Sequence, residues 1–423
     1  MKKKIINCLI AIFAACIVQA QESPLTIVSG PTVTYLSDNL ATLLVIVSNE
    51  PDAPNLGEHQ TIRSFDELDD YLFNLAVENQ LDEFHYDKTN IEFVDGFATI
   101  KIRLSQSDSA PPTSVTSSDM KIVLNSGFLY PLSAGSKKAN NQIIHKMKRI
   151  QPRAVIWMGN TLYYSMEDAG NHDQQFTKNI NFRLQEPVSQ FFQSSSHFAI
   201  WNDRDFAPEN WDNSPPDRVD AQQLFDSFWP VPESVSAKKG IYKHTRMGDT
   251  EFFFLDHLYF EKDGVTQLGA HQLFWLKEKL YKSTANFKFI VSGTSFLSTD
   301  ASVAQIKEKD EVLDFIKHHK INGVLFLSSA LPYTELSVLE SEDFYPLHEF
   351  SCASLTDMGI PIEVGKNSLR VSKTAVKKAN FGLVNIKQEK EQQFCWFETY
   401  DQAGSLLWTY PINLTTIQKK RAN

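Results

Sequence analysis

From Lys121 onward the chain alternates short apolar segments with helical ones, and this alternation restricts the fold more than any other feature of the sequence. The apolar segments include "KIVLN", "RAVIWMGN", "HFAIWND" and "FKFIVSG", and segments of helical period such as "NNQIIHKMKRI" and "HQLFWLKEKLYKS" lie between them. Continuous apolar runs are typical of strands that are buried on both faces, so the pattern predicts an α/β fold with helices covering the sheets. The tail, "QQFCWFETYDQAGSLLWTYPI", predicts a C-terminal β-hairpin that turns at 401–404.

The preceding part of the chain has a different pattern. Residues 24–109 alternate apolar and polar side chains between turn signals, as in "LTIVSGPTVTYL" and "IEFVDGFATIKIRLS", and predict a small β-sandwich. A helical segment, "SFDELDDYLFNLAVENQ", interrupts these strands. Residues 110–120 lie in a stretch rich in serine and proline and are predicted to be a linker to a second domain at 121–423.

The first twenty residues have the pattern of a signal peptide. Lys2, Lys3 and Lys4 precede an apolar run, "IINCLIAIFAACIV", and Ala20 ends a small-residue cleavage site. The sequence therefore predicts export to the periplasm or the outside of the cell. An alternative is a lipoprotein anchored through Cys16, although Phe13 is a poor first residue for a lipobox.

Composition excludes some functions. Hydrophobic residues make up 42% of the chain, which is enough for a sizeable core, and no later segment is long and apolar enough to span a membrane. The formal net charge of -10 repels phosphate backbones, so nucleic acid is not an expected partner. After the predicted signal peptide the chain contains only two cysteines, Cys352 and Cys395. They form either a disulfide or two buried thiols.

One strand end is unusually polar. The apolar run at 198–201 stops at Asn202, Asp203, Arg204 and Asp205. Charged side chains at the end of a buried strand are costly unless they bind something or one another. In sheets of this kind, ligands collect at the carboxyl ends of the strands. These four residues are therefore the first candidates for a functional site.

Seven segments, in order, resemble the alkaline phosphatase D (PhoD-like) metallophosphatases. "FAIWNDRDFAPEN" is similar to the family's Trp-Asp-Asp-His-Asp strand end, and "PRAVIWMGNTLYY" to its Leu-Gly-Asp-Asn-Tyr-Tyr strand. The other segments are "TEFFFLDHLYF", "LGAHQLFWLKEKL", "FKFIVSGTSF", "NGVLFLSSALPYTEL" and "NFGLVNI". The resemblance implies a metallophosphatase-like α/β sandwich, and it identifies the N-terminal sandwich as the fibronectin-like domain that often precedes it.

The resemblance also implies phosphoester hydrolysis by two metal ions, held by carboxylate and imidazole ligands. At the family's ligand positions this sequence has different residues. A neutral Asn160 and Asn202 replace acids, and Arg204, which cannot bind a metal, replaces a histidine. Ala330 and Pro332 stand where an aspartate and a histidine are expected, while Asp203 and Asp205 are retained. We therefore expect no bound metal and no confident catalytic residue.

The sequence thus predicts an exported PhoD-like protein that is catalytically degenerate and binds a small anion or a protein partner. Arg204 is the candidate anion-binding residue, because a guanidinium binds phosphate or carboxylate through two hydrogen bonds. The alternative for Arg204 is an internal salt bridge to Asp203 or Asp205. The alternative for the whole protein is an active phosphomonoesterase or phosphodiesterase with an atypical centre of calcium, iron or zinc.

Overall fold

The structure is a computed structural model that describes most of the chain. It covers residues 25–37, 40–50, 65–78, 83–86, 93–105, 119–127, 134–206, 218–232, 237, 239–262, 266–299, 307–329, 331–353, 355 and 362–418. The predicted signal peptide, Cys16, most of the predicted linker and Ala330 lie outside these residues.

The strands within this part of the chain are β1 (Thr26–Leu36), β2 (Leu40–Ser48), β3 (Glu83–Tyr86), β4 (Phe97–Ser105), β5 (Met120–Asn125), β6 (Ala154–Met158), β7 (Ser196–Ile200), β8 (Lys243–Met247), β9 (Thr250–Phe254), β10 (Phe287–Ser292), β11 (Val324–Ser328), β12 (Glu335–Leu339), β13 (Leu347–Ser351), β14 (Asn380–Glu389), β15 (Gln392–Asp401) and β16 (Leu406–Asn413). The α-helices are α1 (Phe65–Glu78), α2 (Ala134–Arg149), α3 (His172–Arg183), α4 (Val188–Phe192), α5 (Asp203–Phe206), α6 (Arg218–Phe228), α7 (Gly269–Lys282) and α8 (Lys309–His318).

These strands form two mixed sheets. The ten-stranded sheet has the order β16-β15-β14-β5-β6-β7-β1-β2-β4-β3, and the six-stranded sheet has the order β12-β13-β11-β10-β9-β8. Strands β5, β6 and β7 run parallel at the centre of the first sheet. Strands β9, β10 and β11 run parallel in the second. The predicted α/β architecture is confirmed.

The N-terminal strands do not form the separate fibronectin-like sandwich that the sequence predicted. Strand β1 pairs in parallel with β7, with Val33 opposite Ser196, so β1 to β4 extend the ten-stranded sheet. Side chains also cross the predicted boundary, because the Thr34 hydroxyl donates to the Pro230 carbonyl at 2.7 Å. Alternation in the sequence identified β1, β2 and β4, but it gives only the two faces of a strand and not its neighbours.

Two buried layers hold the sheets in place. The first lies between the sheets, where the rings of Phe198 and Phe254 stack with their centroids 5.6 Å apart. The second lies between the ten-stranded sheet and the helices that cover it, and contains Val123, Val155 and Trp157 from the sheet. Neighbouring residues on a strand therefore enter different layers, which is why the strands are apolar without alternation.

The remaining predictions on the C-terminal part agree with the structure. Strands β14, β15 and β16 are antiparallel neighbours, and Asp401 caps the turn at 401–404 by accepting the N–H groups of Ala403 and Ser405. Cys352 and Cys395 are buried free thiols, and burial raises the pKa of both. No helix in the described ranges is long and apolar enough to cross a membrane.

Candidate functional site at the strand ends

The carboxyl ends of the parallel strands of both sheets meet at one edge of the molecule. The Ser329 hydroxyl, directly after β11, donates to the carbonyl of Met158 at the end of β6 at 2.5 Å. The Asn202 amide, directly after β7, donates to the carbonyl of Gly293 after β10 at 3.4 Å. These two hydrogen bonds join the sheets where the sequence placed the candidate residues, and they bring segments more than ninety residues apart into contact.

Gly159 and Asn160 form a tight turn after β6. Both have left-handed backbones, with φ of 90° at Gly159 and 54° at Asn160. A Cβ atom on Gly159 would lie 2.5 Å from the Cβ of Asn202 and 2.7 Å from its backbone nitrogen. Only glycine allows the turn to lie this close to the segment after β7, and the closeness sets the position of the Asn160 side chain. Asn160 Oδ1 accepts the backbone N–H of Arg204 at 3.1 Å.

Asp205 organises this turn. One carboxylate oxygen accepts the N–H groups of Asn160 at 2.5 Å and Asn202 at 3.1 Å. The other accepts those of Thr161 at 2.8 Å and Leu162 at 3.0 Å. Burial raises the pKa of the Asp205 carboxyl to about 6, and the four backbone hydrogen bonds act in the opposite direction. The Asp205 side chain therefore connects the turn after β6 to helix α5. Both of its carboxylate oxygens already accept hydrogen bonds from the backbone.

Asn202 connects the turn to the second sheet. It is 6% exposed, and its Oδ1 accepts the N–H of Asp203 at 2.9 Å and the Nε2–H of His257 at 3.2 Å. The imidazole of His257 lies against Gly293, because a Cβ atom there would be 2.1 Å from the His257 Cε1. Burial lowers the pKa of His257, and the charges of Asp256 and Asp203 oppose this. A neutral imidazole donating to an amide oxygen is the arrangement that this burial favours.

Asp256 is buried and supports turns. It accepts the indole N–H of Trp201 at 2.8 Å, the backbone N–H of Ile241 at 2.9 Å and those of Leu258 and Tyr259 at 3.0 and 2.9 Å. Asp203, by contrast, is exposed at the start of α5. Of the two, only Asp203 has its side chain on the surface of the site.

Arg204 is half-buried and its guanidinium lies over the ring of Tyr163, 5.7 Å from the centroid. Tyr163 follows the Asn160 turn, so the stacking holds the cation beside the strand-end site. The sequence analysis weighed a salt bridge from Arg204 to Asp203 or Asp205. The carboxylate of Asp205 faces four backbone amides, and the guanidinium of Arg204 lies over an aromatic ring.

Two further positions complete the edge. Pro332 is exposed and has no polar side-chain atom, and its neighbour Ala330 lies outside the described residues. Asn125, at the end of β5, is 1% exposed, and its side-chain nitrogen and oxygen both have no hydrogen-bond partner in the described part of the chain. The unpaired amide of Asn125 was not predicted from the sequence. Its position directly after an apolar run was the only signal.

Comparison with known proteins identifies the family of the chain. The model of the PhoD-like phosphatases matches residues 133–397. The chain belongs to the PhoD-like phosphatase family. This match spans α2 to β15, which includes the strand ends after β6, β7, β10 and β11. No curated protein sequence matches the chain.

Solved structures agree with this PhoD-like fold at low sequence identity. A structure of PhoD is 14% identical and has a TM-score of 0.60, covering 95% of this chain and 94% of its own. Purple acid phosphatase PPD1 from yellow lupin (Lupinus luteus) seeds is 10% identical, with a TM-score of 0.55 and coverage of 88% and 73%. GAP50, described as the anchor in the inner membrane complex of Plasmodium, is 14% identical, with a TM-score of 0.50 and coverage of 72% and 90%.

The PhoD-like family implies two metal ions, and the donors at this edge do not fit them. Metal ions need several carboxylate, imidazole or thiolate ligands converging on one point. Within the described ranges no group of three or more His, Cys, Asp or Glu residues could hold a metal ion. The oxygens of Asn160, Asn202 and Asp205 accept hydrogen bonds from the protein itself, and Arg204 adds a fixed positive charge. The side chains at this edge offer hydrogen-bonding groups and the positive charge of Arg204.

Proposed function

We propose that this PhoD-like protein is exported, has lost the metal-dependent chemistry of its family, and binds an anionic ligand or a protein partner at the strand-end edge. The proposal rests on the hydrogen bonds that the polar groups at this edge already form. Asn160, Asn202 and Asp205 satisfy one another through backbone amides, so they serve as fixed parts of the turn. Freeing them for a metal would leave several buried N–H groups without acceptors.

The anionic ligand follows from the charges at this edge. Arg204 cannot lose its proton, and it is held over Tyr163 close to the exposed start of α5. Half-buried Asp205 and buried Asp256 each face several N–H donors, which offset their charges. Asp203 is an exposed acidic side chain at the start of α5 and would oppose an anion. An anion would therefore bind to the N–H groups of Arg204 away from Asp203, and removal of Asp203 should strengthen its binding.

Two other observations are compatible with a binding role. The same fold occurs in GAP50, which is described as the anchor in the inner membrane complex of Plasmodium, so proteins with this fold also have anchoring roles. Export rests on the leader, where three lysines precede an apolar run and a small-residue cleavage site. An exported protein would be in direct contact with soluble anions and with partners at the cell surface.

The experiment that tests the anion site is a phosphate titration followed by calorimetry. We expect wild type to bind inorganic phosphate weakly, Arg204→Ala to lose about tenfold or more in affinity, and Asp203→Asn to gain a few-fold. Arg103→Ala, which removes an exposed arginine from β4, is the matched control and should bind as wild type does. Identical isotherms for wild type and Arg204→Ala would end the idea of an anion site at this residue.

The alternative function is metal-dependent hydrolysis of phosphate monoesters or diesters, which the family match favours. Turnover of a chromogenic monoester and a chromogenic diester should be measured with added calcium, iron and zinc. We expect no metal-dependent rate above the buffer. A rate that scales with enzyme, requires one of these ions and is lost in Asp203→Asn would favour the alternative.

A further inference from the structure

A second site candidate lies on the outer surface of the ten-stranded sheet. A groove of about 810 Å³ runs between the C-terminal half of α2 and the turn that joins β15 to β16. Gly404 in that turn approaches the helix closely, since a Cβ atom there would lie 3.1 Å from Cδ of Lys146. The groove is lined by Gln142, His145, Lys146, Lys148, Arg149, Gln151, Gln402 and Ala403.

The charge of this groove is opposite to that of the whole chain. The formal net charge is -10, yet the lining contains two lysines, an arginine and a histidine, and no acid. The rest of the lining is three glutamines, whose amides donate hydrogen bonds, and one alanine. Helix α2 itself, "AGSKKANNQIIHKMKR", carries no aspartate or glutamate.

Helix geometry places four of the lining residues on one face of α2. Gln142, His145, Lys146 and Arg149 follow the spacing i, i+3, i+4 and i+7, which lines up side chains along one side of a helix. Ile143, Ile144 and Met147 are buried beneath the opposite side. The apolar face fixes the orientation of the helix, so the donors point together into the groove.

Within the ranges that the structure describes, the lysines and the arginine of the groove form no salt bridge. Elsewhere, lysines on the surface pair with acids: Lys277 with Glu311, Lys282 with Glu278, and Lys378 with Asp401 at 3.1 Å. Within the described part of the chain, His145, Lys146 and Arg149 have no carboxylate partner, and Lys148 donates to the amide oxygen of Gln190 at 3.0 Å. Cations that are clustered and unpaired repel one another, and a bound anion would relieve this repulsion.

The helix dipole is the simplest other reason for lysines at the end of a helix. Helices α7 and α8 also end in basic residues, including Lys279 and Lys317. Neither of these helix ends lines the groove. They therefore offer a direct comparison between cations that serve only the dipole and cations that surround a groove.

We propose that the groove between α2 and the β15–β16 turn binds a soluble chain of phosphate groups, of the oligophosphate class. Lys146 and Arg149 on one helix face, with Lys148 also lining the groove, match several anionic groups in a row, and the glutamine amides can donate to the oxygens between them. A concave site suits a chain that lies inside it better than a flat lipid surface. This site is separate from Arg204 and does not rest on the function proposed for the strand-end edge.

The test uses sodium tripolyphosphate as the probe, titrated calorimetrically into the full protein at low and at moderate NaCl. We expect saturable binding that weakens steeply with salt, and a loss of about tenfold or more in Lys146→Gln/Arg149→Gln. The control, Lys279→Gln/Lys317→Gln, makes the same change in net charge at the ends of α7 and α8 and should stay within about twofold of wild type. Arg204→Ala should also bind tripolyphosphate normally, which separates this result from the phosphate titration at Arg204.

Three outcomes would overturn the proposal. One is the absence of saturable binding to wild type. Another is an equal loss in the two double variants, which would mean that only net charge matters. A third is binding to vesicles containing an anionic phospholipid in the absence of binding to tripolyphosphate. Circular dichroism on each variant checks that the fold is retained, since the polar ends replaced here lie at the surface.

Discussion

Replacing Asp205 with asparagine is expected to lower the free energy of unfolding by about 3 kcal/mol, because two of four backbone N–H donors lose their acceptor. The carboxylate accepts Asn160 and Asn202 through one oxygen and Thr161 and Leu162 through the other. Asparagine keeps one oxygen, and its amide nitrogen would face donors. Urea unfolding followed by tryptophan fluorescence measures the change.

Asp203→Asn is the matched control for Asp205. It makes the same change in charge two residues away, at an exposed side chain, and should shift the free energy of unfolding by less than about 0.5 kcal/mol. If both variants were equally stable, Asp205 would not be the acceptor that holds the turn after β6. The account of this edge as a self-satisfied network would then fail.

Alanine at Gly159 is expected to cost about 3–5 kcal/mol, from a left-handed backbone and a steric overlap together. The φ of Gly159 is 90°, and an added Cβ would lie 2.5 Å from the Cβ of Asn202 and 2.9 Å from the carbonyl carbon of Trp201. The overlap is with backbone and Cβ atoms, which cannot rotate away. Thermal and urea unfolding of Gly159→Ala measure the loss.

Gly170→Ala separates the two causes. Gly170 also has a positive φ, 66°, but an added Cβ there would meet nothing within 4 Å. We expect a cost of about 1 kcal/mol from backbone strain alone. Equal costs at the two glycines would mean that the turn after β6 does not lie close to Asn202.

The sequence predicted the position of the strand-end edge better than its internal bonding. Polar residues directly after an apolar run identified Asn202, the resemblance to the PhoD-like family identified Asn160, and the structure brings the two together. The role of Asp205 as acceptor for four amides was not predictable, because it depends on a turn more than forty residues away. The bond from Ser329 to Met158 crosses between the sheets and leaves no local pattern.

The N-terminal strands show the same limit on a larger scale. The period of alternation gave β1, β2 and β4, and the helical pattern gave α1, which spans Phe65–Glu78. Pairing of β1 with β7 could not be inferred, since two strands far apart in sequence carry no mutual register signal. The near-complete burial of β1 is the physical sign that both of its faces are covered.

The central claim is that the polar groups at the strand ends satisfy one another and offer no site for a pair of metal ions. Metal analysis of protein purified from cells and dialysed with calcium, iron or zinc tests it most directly, because it does not depend on a substrate. The account predicts well under one tightly bound metal ion per chain, for wild type and for Asp203→Asn alike. Two ions per wild-type chain, with loss of both in Asp203→Asn, would contradict it.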